Sequence, residues 1–444
     1  MSGSLLVTWV TENEVREIPL DLSTTPIEAL ILSNDSKFTR YPGEGTTEGL
    51  FTIFDVPKQK TYLLRVGSLY IQSAKRRLDL GFARLGRQDA KPIVEHTPVS
   101  TSLLNLVPWN TGHRIEMFAP NAGLSFLGAL LNNPPPGATT HTGTVDFFLA
   151  QSPRELDSAD GDVLYVSQVA SRDQGPDTIT EVVSAAVIDN NLDVENGGGQ
   201  LIDASMTSLA GSKKFEVSWD PAAFVDLFSS MGPGTATTTQ SGSRLVASPA
   251  DPSWGVLTAY PTLAGARIES TSAVTLSASF ESPFPSHWHQ YEVDTLNAIF
   301  DLRGDGTLFA TARAQTVSEP GRVSQGATPR LSAPAMPTLD DMSMSTTLIN
   351  VGMTPLVAWQ PPTLGSADGY EIRIEELSPG NRIAATFYTT DTSLVLPDGV
   401  LKKDGLYIAI LAARSTPGLD QSFSPLRQTI PSARAEYVSA PFSP

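Results

Sequence analysis

The most regular feature of this sequence is a set of short runs in which apolar and polar residues alternate at every second position. Clear examples are Phe215–Trp219, Val274–Phe280 and Gly369–Glu375, and clusters of Gly, Pro, Asn or Asp lie between such runs. A period of two is typical of strands with one buried face, and the separators are typical of turns. Only Ala222–Met231 is singled out as a short helix, from its spaced apolar residues. The pattern predicts an all-β fold class.

The distribution of these runs predicts several domains along the 444 residues. Residues 1–91 are expected to form a small β-sandwich domain. Residues 92–325 are expected to form a large β-rich central domain, made of one large sandwich or two smaller ones. Residues 326–335, with Pro329 and Pro334 among small residues, read as a linker to a last domain at 336–444. The predicted architecture is therefore a multi-domain set of β-sandwiches.

The last domain carries an ordered series of strand signals. The segments, in order, are Leu356–Pro362, Gly369–Glu375, Thr392–Leu396 and Gly405–Arg414. This series resembles a fibronectin type III domain, over about a quarter of the chain. The resemblance implies an immunoglobulin-like sandwich in which Trp359 is central and faces Tyr370, and in which Tyr407 makes the hydrogen bond of a tyrosine corner. It also implies a spacer or interaction module without catalytic residues.

Composition and charge exclude several classes of protein. Apolar residues make up 40% of the chain and charged residues 17%, with 34 Gly and 34 Pro, which excludes a coiled coil or a helical bundle. The sequence has no cysteine, which excludes disulfides, thiolate catalysis and Cys-ligated metals. A net charge of −17 repels phosphate backbones, so we expect no nucleic-acid partner. No apolar run reaches about 18 residues, so we expect no transmembrane segment.

The expected location is extracellular or at the cell surface. Acidic chains rich in Thr and Ser are common outside cells. Residues Met1–Val7 lack the basic start and the long apolar run of an export signal. A signal or anchor is therefore expected to lie outside this sequence.

An acidic loop is the candidate metal site. Within residues 189–197, side chains that carry oxygen stand at alternating positions, namely Asp189, Asn191, Asp193 and Glu195. Calcium takes about six to eight hard oxygen ligands from loops of this kind. These four residues are therefore predicted calcium ligands, and no other cofactor is expected. The loop is not an EF-hand, because Val194 stands where that motif has glycine. The competing interpretation is a set of solvated turn acids, as for the weaker cluster Asp157, Asp160 and Asp162.

Two further motifs have simpler explanations. His287 and His289 could hold zinc or copper, but Pro283 and Pro285 beside them favour surface or aromatic packing. Arg303–Asp305 spells Arg-Gly-Asp, a tripeptide that some adhesion ligands present. The Gly-Asp-Gly that overlaps it is ordinary turn chemistry, and a turn is the favoured interpretation.

The sequence contains no recognised catalytic motif: a nucleophile elbow, a phosphate-binding loop and a dinucleotide-binding motif are all missing. A pair of carboxylates for glycoside hydrolysis leaves little trace in one sequence. Three tryptophans could stack on sugars, although core packing is the favoured interpretation: Trp109, Trp254 and Trp288.

Three functions follow from these observations. The favoured hypothesis is a non-enzymatic extracellular or cell-surface β-protein with a binding, adhesive or structural role, whose partner is a protein or glycan surface. The first alternative is a secreted carbohydrate-active or other hydrolase with an accessory fibronectin type III domain. The second alternative is a cytoplasmic component of an assembled particle.

Overall fold

A computed structural model of the protein shows an all-β chain of several β-sandwiches. The structure describes residues 1–33, 37–128, 130–255, 261–320, 327–377 and 382–444. Within these ranges lie 35 strands, four short 3-10 helices and one α-helix. No helix in the same ranges is long and apolar enough to cross a membrane. The all-β, multi-domain sandwich predicted from the sequence is confirmed.

The predicted helix begins as a 3-10 turn, Pro221–Phe224, and continues as α1, Val225–Ser229. The carboxylate of Asp220 caps the turn by accepting a hydrogen bond from the Ala222 N–H at 3.0 Å. The side chains of Phe224 and Leu227 are buried, which holds this short element against the sheet.

The first unit of the chain has ten strands, and most of their buried residues form one hydrophobic cluster. The strands are β1 Ser2–Ser4, β2 Leu6–Val10, β3 Val15–Pro19, β4 Ile27–Leu32, β5 Phe38–Gly45, β6 Leu50–Ile53, β7 Tyr62–Val66, β8 Leu69–Ser73, β9 Arg77–Asp79 and β10 Phe82–Leu85. Ala29 of β4, Phe51 of β6 and Leu64 of β7 are almost fully buried in this cluster. The alternation of buried and open positions along these strands thus produces the core of the first unit.

The central block contains the next seventeen strands. They are β11 Pro98–Leu104, β12 Arg114–Ala119, β13 Leu124–Leu127, β14 His141–Asp146, β15 Leu156–Asp157, β16 Leu164–Gln174, β17 Asp177–Ile188, β18 Asp193–Glu195, β19 Gly198–Gly199, β20 Ile202–Ser205, β21 Thr207–Ser208, β22 Lys213–Trp219, β23 Thr238–Ser248, β24 Thr262–Ile268, β25 Val274–Phe280, β26 His289–Asp301 and β27 Phe309–Ser318. One hydrophobic cluster draws its buried residues from Ala90 to Met206. A second includes Phe215 to Val317 and continues into the last unit.

The last unit contains eight strands in two sheets. They are β28 Ala335–Leu339, β29 Met342–Ser343, β30 Leu356–Gln360, β31 Gly369–Glu376, β32 Arg382–Thr389, β33 Ser393–Val395, β34 Tyr407–Ser415 and β35 Ser432–Val438. One sheet has the order β29-β28-β30-β33, and the other contains β32-β31-β34-β35. Trp359 and Tyr370 meet edge to face between the sheets, with 5.2 Å between ring centroids. The Tyr407 hydroxyl oxygen accepts a hydrogen bond from the Lys402 N–H at 2.8 Å. Both contacts predicted for Trp359 and Tyr407 are present.

Main-chain pairing joins all three units into one sheet. Its strand order is β13-β12-β16-β17-β24-β23-β26-β27-β35-β34-β31-β32-β8-β7-β4-β5-β6-β1-β9. The antiparallel pair β27–β35 connects the central block to the last unit. The parallel pair β32–β8 connects the last unit to the first, with Leu69 opposite Thr386 and Ile71 opposite Tyr388. Hydrogen bonding therefore crosses the predicted domain limits, and the limits themselves stay a prediction.

The predicted linker is packed where the structure describes it. Residue 326 lies outside the described residues. The Ala327 N–H donates to the Ser218 carbonyl at 2.8 Å, and the Ser332 N–H donates to the Leu364 carbonyl at 3.0 Å. Leu331 is almost fully buried. Residues 327–335 therefore contribute to the core instead of spanning open solvent.

A long loop between β34 and β35, residues 416–431, contacts all three units, and we call it the junction segment. Its Arg427 Nε lies 2.6 Å from Asp79 Oδ2 of the first unit. Its Ile430 N–H donates to the Pro252 carbonyl of the central block at 2.8 Å. Arg414 of the last unit donates to the Pro425 carbonyl at 2.6 Å. The junction segment and the shared sheet together position the central block against both neighbours.

Candidate functional site

The predicted calcium ligands divide between two places. Strands β15 and β18 pair antiparallel, which sets Asp157 opposite Asp193. Two of the predicted ligands, Asp193 and Glu195, line a small cavity of about 80 Å³. Asp157 and Asp160 of the second predicted cluster line the same cavity. The charged residues that line it are Arg87, Asp89, Lys91, Glu155, Asp157, Asp160, Asp193 and Glu195. The structure brings the two acidic clusters together, but it also places two cations among them.

The other two predicted ligands lie outside this cavity. Asp189 accepts a hydrogen bond from Asn190 Nδ2 at 3.0 Å, and Asn191 has a left-handed backbone with φ of 51°. In the described part of the chain, no group of three or more His, Asp and Glu side chains is arranged to hold a metal ion. The calcium site at Asp189, Asn191, Asp193 and Glu195 stays a prediction.

Arg87 neutralises part of the acidic cavity. Its Nη2 lies 3.0 Å from Asp160 Oδ2 and 2.8 Å from Asp162 Oδ2. Asp162 is fully buried, and burial raises its pKa, whereas the hydrogen bond from the Asp157 N–H and the charge of Arg87 act in the opposite direction. These contacts make the cluster an ion-pair network that holds β15 against the chain before β11.

The histidines and tryptophans singled out in the sequence mostly serve packing. His287 is exposed, whereas the ring of His289 stacks at 6.2 Å on that of Tyr291. Trp288 lies buried in an aromatic cluster, parallel to Phe284 with 5.0 Å between ring centroids. Trp109 is also buried, in the cluster that runs from Ala90 to Met206. Core packing is therefore confirmed for Trp109 and Trp288.

A polar cavity of about 290 Å³ lies across four neighbouring strands of the shared sheet, and we call it the arginine pocket. Its lining comes from β23, β24, β26 and β27. The residues are Gln240, Ser241, Gly242, Arg244, Ala266, Arg267, Thr295, Asn297, Arg313 and Gln315. Every charged side chain in this set is an arginine, which contrasts with the net charge of −17 of the chain.

The strand register places the polar side chains of the arginine pocket on one face in two rows. The first row runs across four strands as Arg267, Gly242, Thr295 and Gln315. The second row runs across three strands as Gln240, Asn297 and Arg313. Because side chains alternate along a strand, residues two apart on β23, such as Gly242 and Arg244, share this face. Gly242 has no side chain, so backbone forms the floor at the centre of the first row.

Arg244 is the chemically unusual member of this pocket. It is half-buried, and among the described residues it makes no hydrogen bond and has no carboxylate within 4.0 Å. Burial is the largest cause that lowers its pKa, and the charges of Arg114 and Arg313 act in the same direction. The charge of Glu116 opposes them. Even partial burial of a cation without a partner is costly, so Arg244 is suited to receive an anion.

The other arginines of the pocket are more exposed and partly engaged. Arg313 Nε donates to Asn297 Oδ1 at 3.1 Å, which fixes both side chains. Arg267 Nη2 lies 2.6 Å from Glu269 Oε1, in an exposed pair that contributes little to stability. Arg313 thus lines the pocket with its Nε already engaged.

Sequence reasoning missed the arginine pocket, although part of its signal is visible. On β27, the polar residues Thr311, Arg313 and Gln315 alternate with alanines at 310, 312 and 314. This alternation predicts a strand with one polar face. The register that places it beside β26 and β23 depends on pairing between distant segments, which the alternation does not define.

A larger groove of about 420 Å³ runs between β4, β7 and β33. Most of its lining is apolar, including Leu32, Phe38 and Val395, and its one charged residue is Lys60. It offers few directional groups. The arginine pocket, which contains the unpaired Arg244, is therefore the stronger candidate for specific recognition.

No protein-family model matches the chain, and a search of curated proteins finds no match. Function has to be inferred from the residues themselves.

Proposed function

We propose that this is a non-enzymatic extracellular or cell-surface β-protein that acts by binding a protein or glycan surface. The observation that carries the proposal is the chemistry of the arginine pocket. Its lining combines guanidinium groups with amide and hydroxyl side chains, and none of the described lining residues is Asp, Glu or His. Such a set can hold a ligand by hydrogen bonds and charge, but it lacks a general acid or base for turnover.

The last unit supports the same proposal. Its strands form two facing sheets with Trp359 between them, and Tyr407 ties the Lys402 segment to β34. We propose that it is a fibronectin type III-like module that serves as a spacer or interaction surface. Its pairing with β27 and β8 makes it part of the shared sheet, so it orients the arginine pocket relative to the first unit.

A binding screen and a turnover screen, run on the same purified protein, test this function. A glycan and protein array is expected to give specific ligands, and a panel of glycoside and peptide substrates is expected to show no released products. Release of reducing sugar or peptide fragments that a single Asp or Glu substitution abolishes would overturn the proposal in favour of a hydrolase.

The proposed location is tested separately. Protease treatment of intact source cells is expected to digest the protein. Lysis of the cells is expected to release no further protein that had been protected from the protease. Protection in intact cells, together with sedimentation of the native protein in a large assembly, would favour the cytoplasmic particle instead.

A further inference from the structure

The carboxylate whose charge acts on Arg244 is that of Glu116, and it is already paired with another arginine. Glu116 Oε1 accepts hydrogen bonds from Arg114 Nε at 2.9 Å and from Arg114 Nη2 at 2.8 Å. Glu116 Oε2 accepts one from the Thr262 N–H at 3.2 Å. Glu116 is almost fully buried and therefore depends on these donors. Arg244 thus keeps a net positive charge at the inner end of the arginine pocket.

The charged lining of the pocket suits an anion. Arg244 projects from β23 and Arg313 from β27, with β26 between them, so two guanidinium groups approach the cavity from different strands. Guanidinium groups bind carboxylates through paired, charge-assisted hydrogen bonds. A carboxylate carries a single negative charge, which matches one unpaired Arg244. A polyanion would meet the repulsion of a chain with net charge −17.

The uncharged lining indicates what accompanies the anion. Asn297, Gln240 and Gln315 present amide groups on the same face, and these can donate to and accept from hydroxyls. No aromatic residue occurs in the described lining, so stacking of a neutral sugar ring is not available here. A volume of about 290 Å³ lies at the small end of ligand pockets, which run from about 300 to 1,000 Å³.

We propose that the arginine pocket binds a carboxylated sugar residue, with the carboxylate at Arg244 and the ring hydroxyls at the amides of Asn297, Gln240 and Gln315. The proposal rests on the proposed binding function and adds the ligand class. Charge supplies the affinity and the amides supply the orientation. A glycan surface that carries single, well-separated uronic acid residues is therefore the partner that this site fits.

Calorimetry on the full chain, with four probes, tests the ligand class. Methyl glucuronide and methyl glucoside differ only in the carboxylate, and sodium sulfate and sodium phosphate supply an anion without a sugar. The glucuronide is expected to bind about tenfold to a hundredfold more tightly than the glucoside, the range that one charge-assisted hydrogen bond contributes. It is also expected to bind more tightly than either inorganic anion. Equal binding of glucuronide and glucoside, or tighter binding of phosphate or sulfate, would overturn the proposal.

Two variants locate the site. Arg244→Gln is expected to remove the preference for the glucuronide, and Arg303→Gln, which removes the same charge from an exposed hairpin turn, is expected to keep it. The glucuronide should raise the denaturation midpoint of the parent protein and of Arg303→Gln but not that of Arg244→Gln. A cooperative unfolding transition without ligand shows that each variant folds. An unchanged preference in Arg244→Gln would place the ligand elsewhere and refute the assignment.

The outcomes separate this inference from the proposed function. Specific array ligands without glucuronide binding at Arg244 would refute the inference and leave the binding function intact. Glucuronide binding at Arg244 together with turnover of a glycan would support the inference and refute the non-enzymatic function.

Discussion

Asp294 is a half-buried acid with an enclosed carboxylate oxygen, and its charge should weaken the folded protein near neutral pH. It lies in the middle of β26, and its Oδ1 is shut off from solvent without a hydrogen-bond partner among the described residues. Burial is the main cause that raises its pKa to about 6, and the charge of Glu292 adds to it, whereas the neighbouring Ser243 hydroxyl and the charge of Arg330 act in the opposite direction. The ordinary value is 3.8. The folded state therefore holds the proton of Asp294 more tightly than the unfolded state does.

The size and the sign of the effect follow from this difference. A shift of about two pKa units corresponds to about 3 kcal/mol. Because the pKa is raised in the folded state, stability is highest below about pH 4, falls as the pH rises towards about 6, and stays low above that. Asp294→Asn cannot ionise and should lack this loss. We therefore compare the unfolding free energy of Asp294→Asn with that of the parent protein at two pH values. Between pH 4 and pH 7.5 this difference should shift by about 3 kcal/mol in favour of the variant.

Denaturant unfolding at a series of pH values between 4 and 8 measures this difference through the midpoint and slope of each curve. Asp305→Asn is the matched control, because it removes the same charge from an exposed turn. Hydrogen bonds from Thr307 lower the pKa of Asp305, in the direction opposite to that of Asp294. Its profile should follow that of the parent protein over this range. Parallel profiles for Asp294→Asn and the parent protein would refute the reasoning, since they would mean that Asp294 does not change its proton affinity on folding.

Three further predictions follow from other features. Trp359→Ala should cost about 3–5 kcal/mol of unfolding free energy, because the indole is buried between two sheets, and an unchanged melting curve would contradict this. Glu371→Gln should cost on the order of 3 kcal/mol of unfolding free energy at pH 7. Burial opposes the charge of Glu371, but Arg434 outweighs burial and lowers the pKa of Glu371 to about 2. The cost should therefore shrink as the pH falls below about 4.5, and a cost independent of pH would count against the prediction. Calorimetry should detect calcium binding, and Asp193→Asn should weaken it. No zinc binding that depends on His289 is expected. Zinc binding that is lost in His289→Ala, without any calcium binding, would move the metal to the histidines.

The sequence was informative where the signal is local. The period of two in β22 and β25 predicts strands with one buried face, and both strands have that burial pattern. The alternating segment at β31 is also a strand, although its first four residues are all buried. The contacts of Trp359, Tyr370 and Tyr407 were implied by the resemblance to a fibronectin type III domain, and all three residues lie within one unit. Local spacing and turn chemistry are sufficient for features of this kind.

Features that depend on pairing between distant segments could not be predicted. The arginine pocket requires the register of β23 against β26 and of β26 against β27, and Arg244 stands out only because Glu116, 128 positions earlier, is engaged elsewhere. The two acidic clusters were recognised one by one, but their meeting at Asp157 and Asp193 needed the β15–β18 pair. Alternation along one strand carries no information on which strand lies beside it.

The parallel pair β8–β32 has a consequence for synthesis of the chain on the ribosome. The partner of Leu69–Ile71 is Thr386–Tyr388, which emerges roughly 300 residues later, or about 15–60 s later at about 5–20 residues per second. During that interval β7 covers one side of β8, and the N–H and C=O groups along the other side have no strand to bind. An open strand edge of this kind is a template for pairing with another nascent chain. Truncated products that end before residue 386 should therefore aggregate through β8, and completion of β32 removes that hazard.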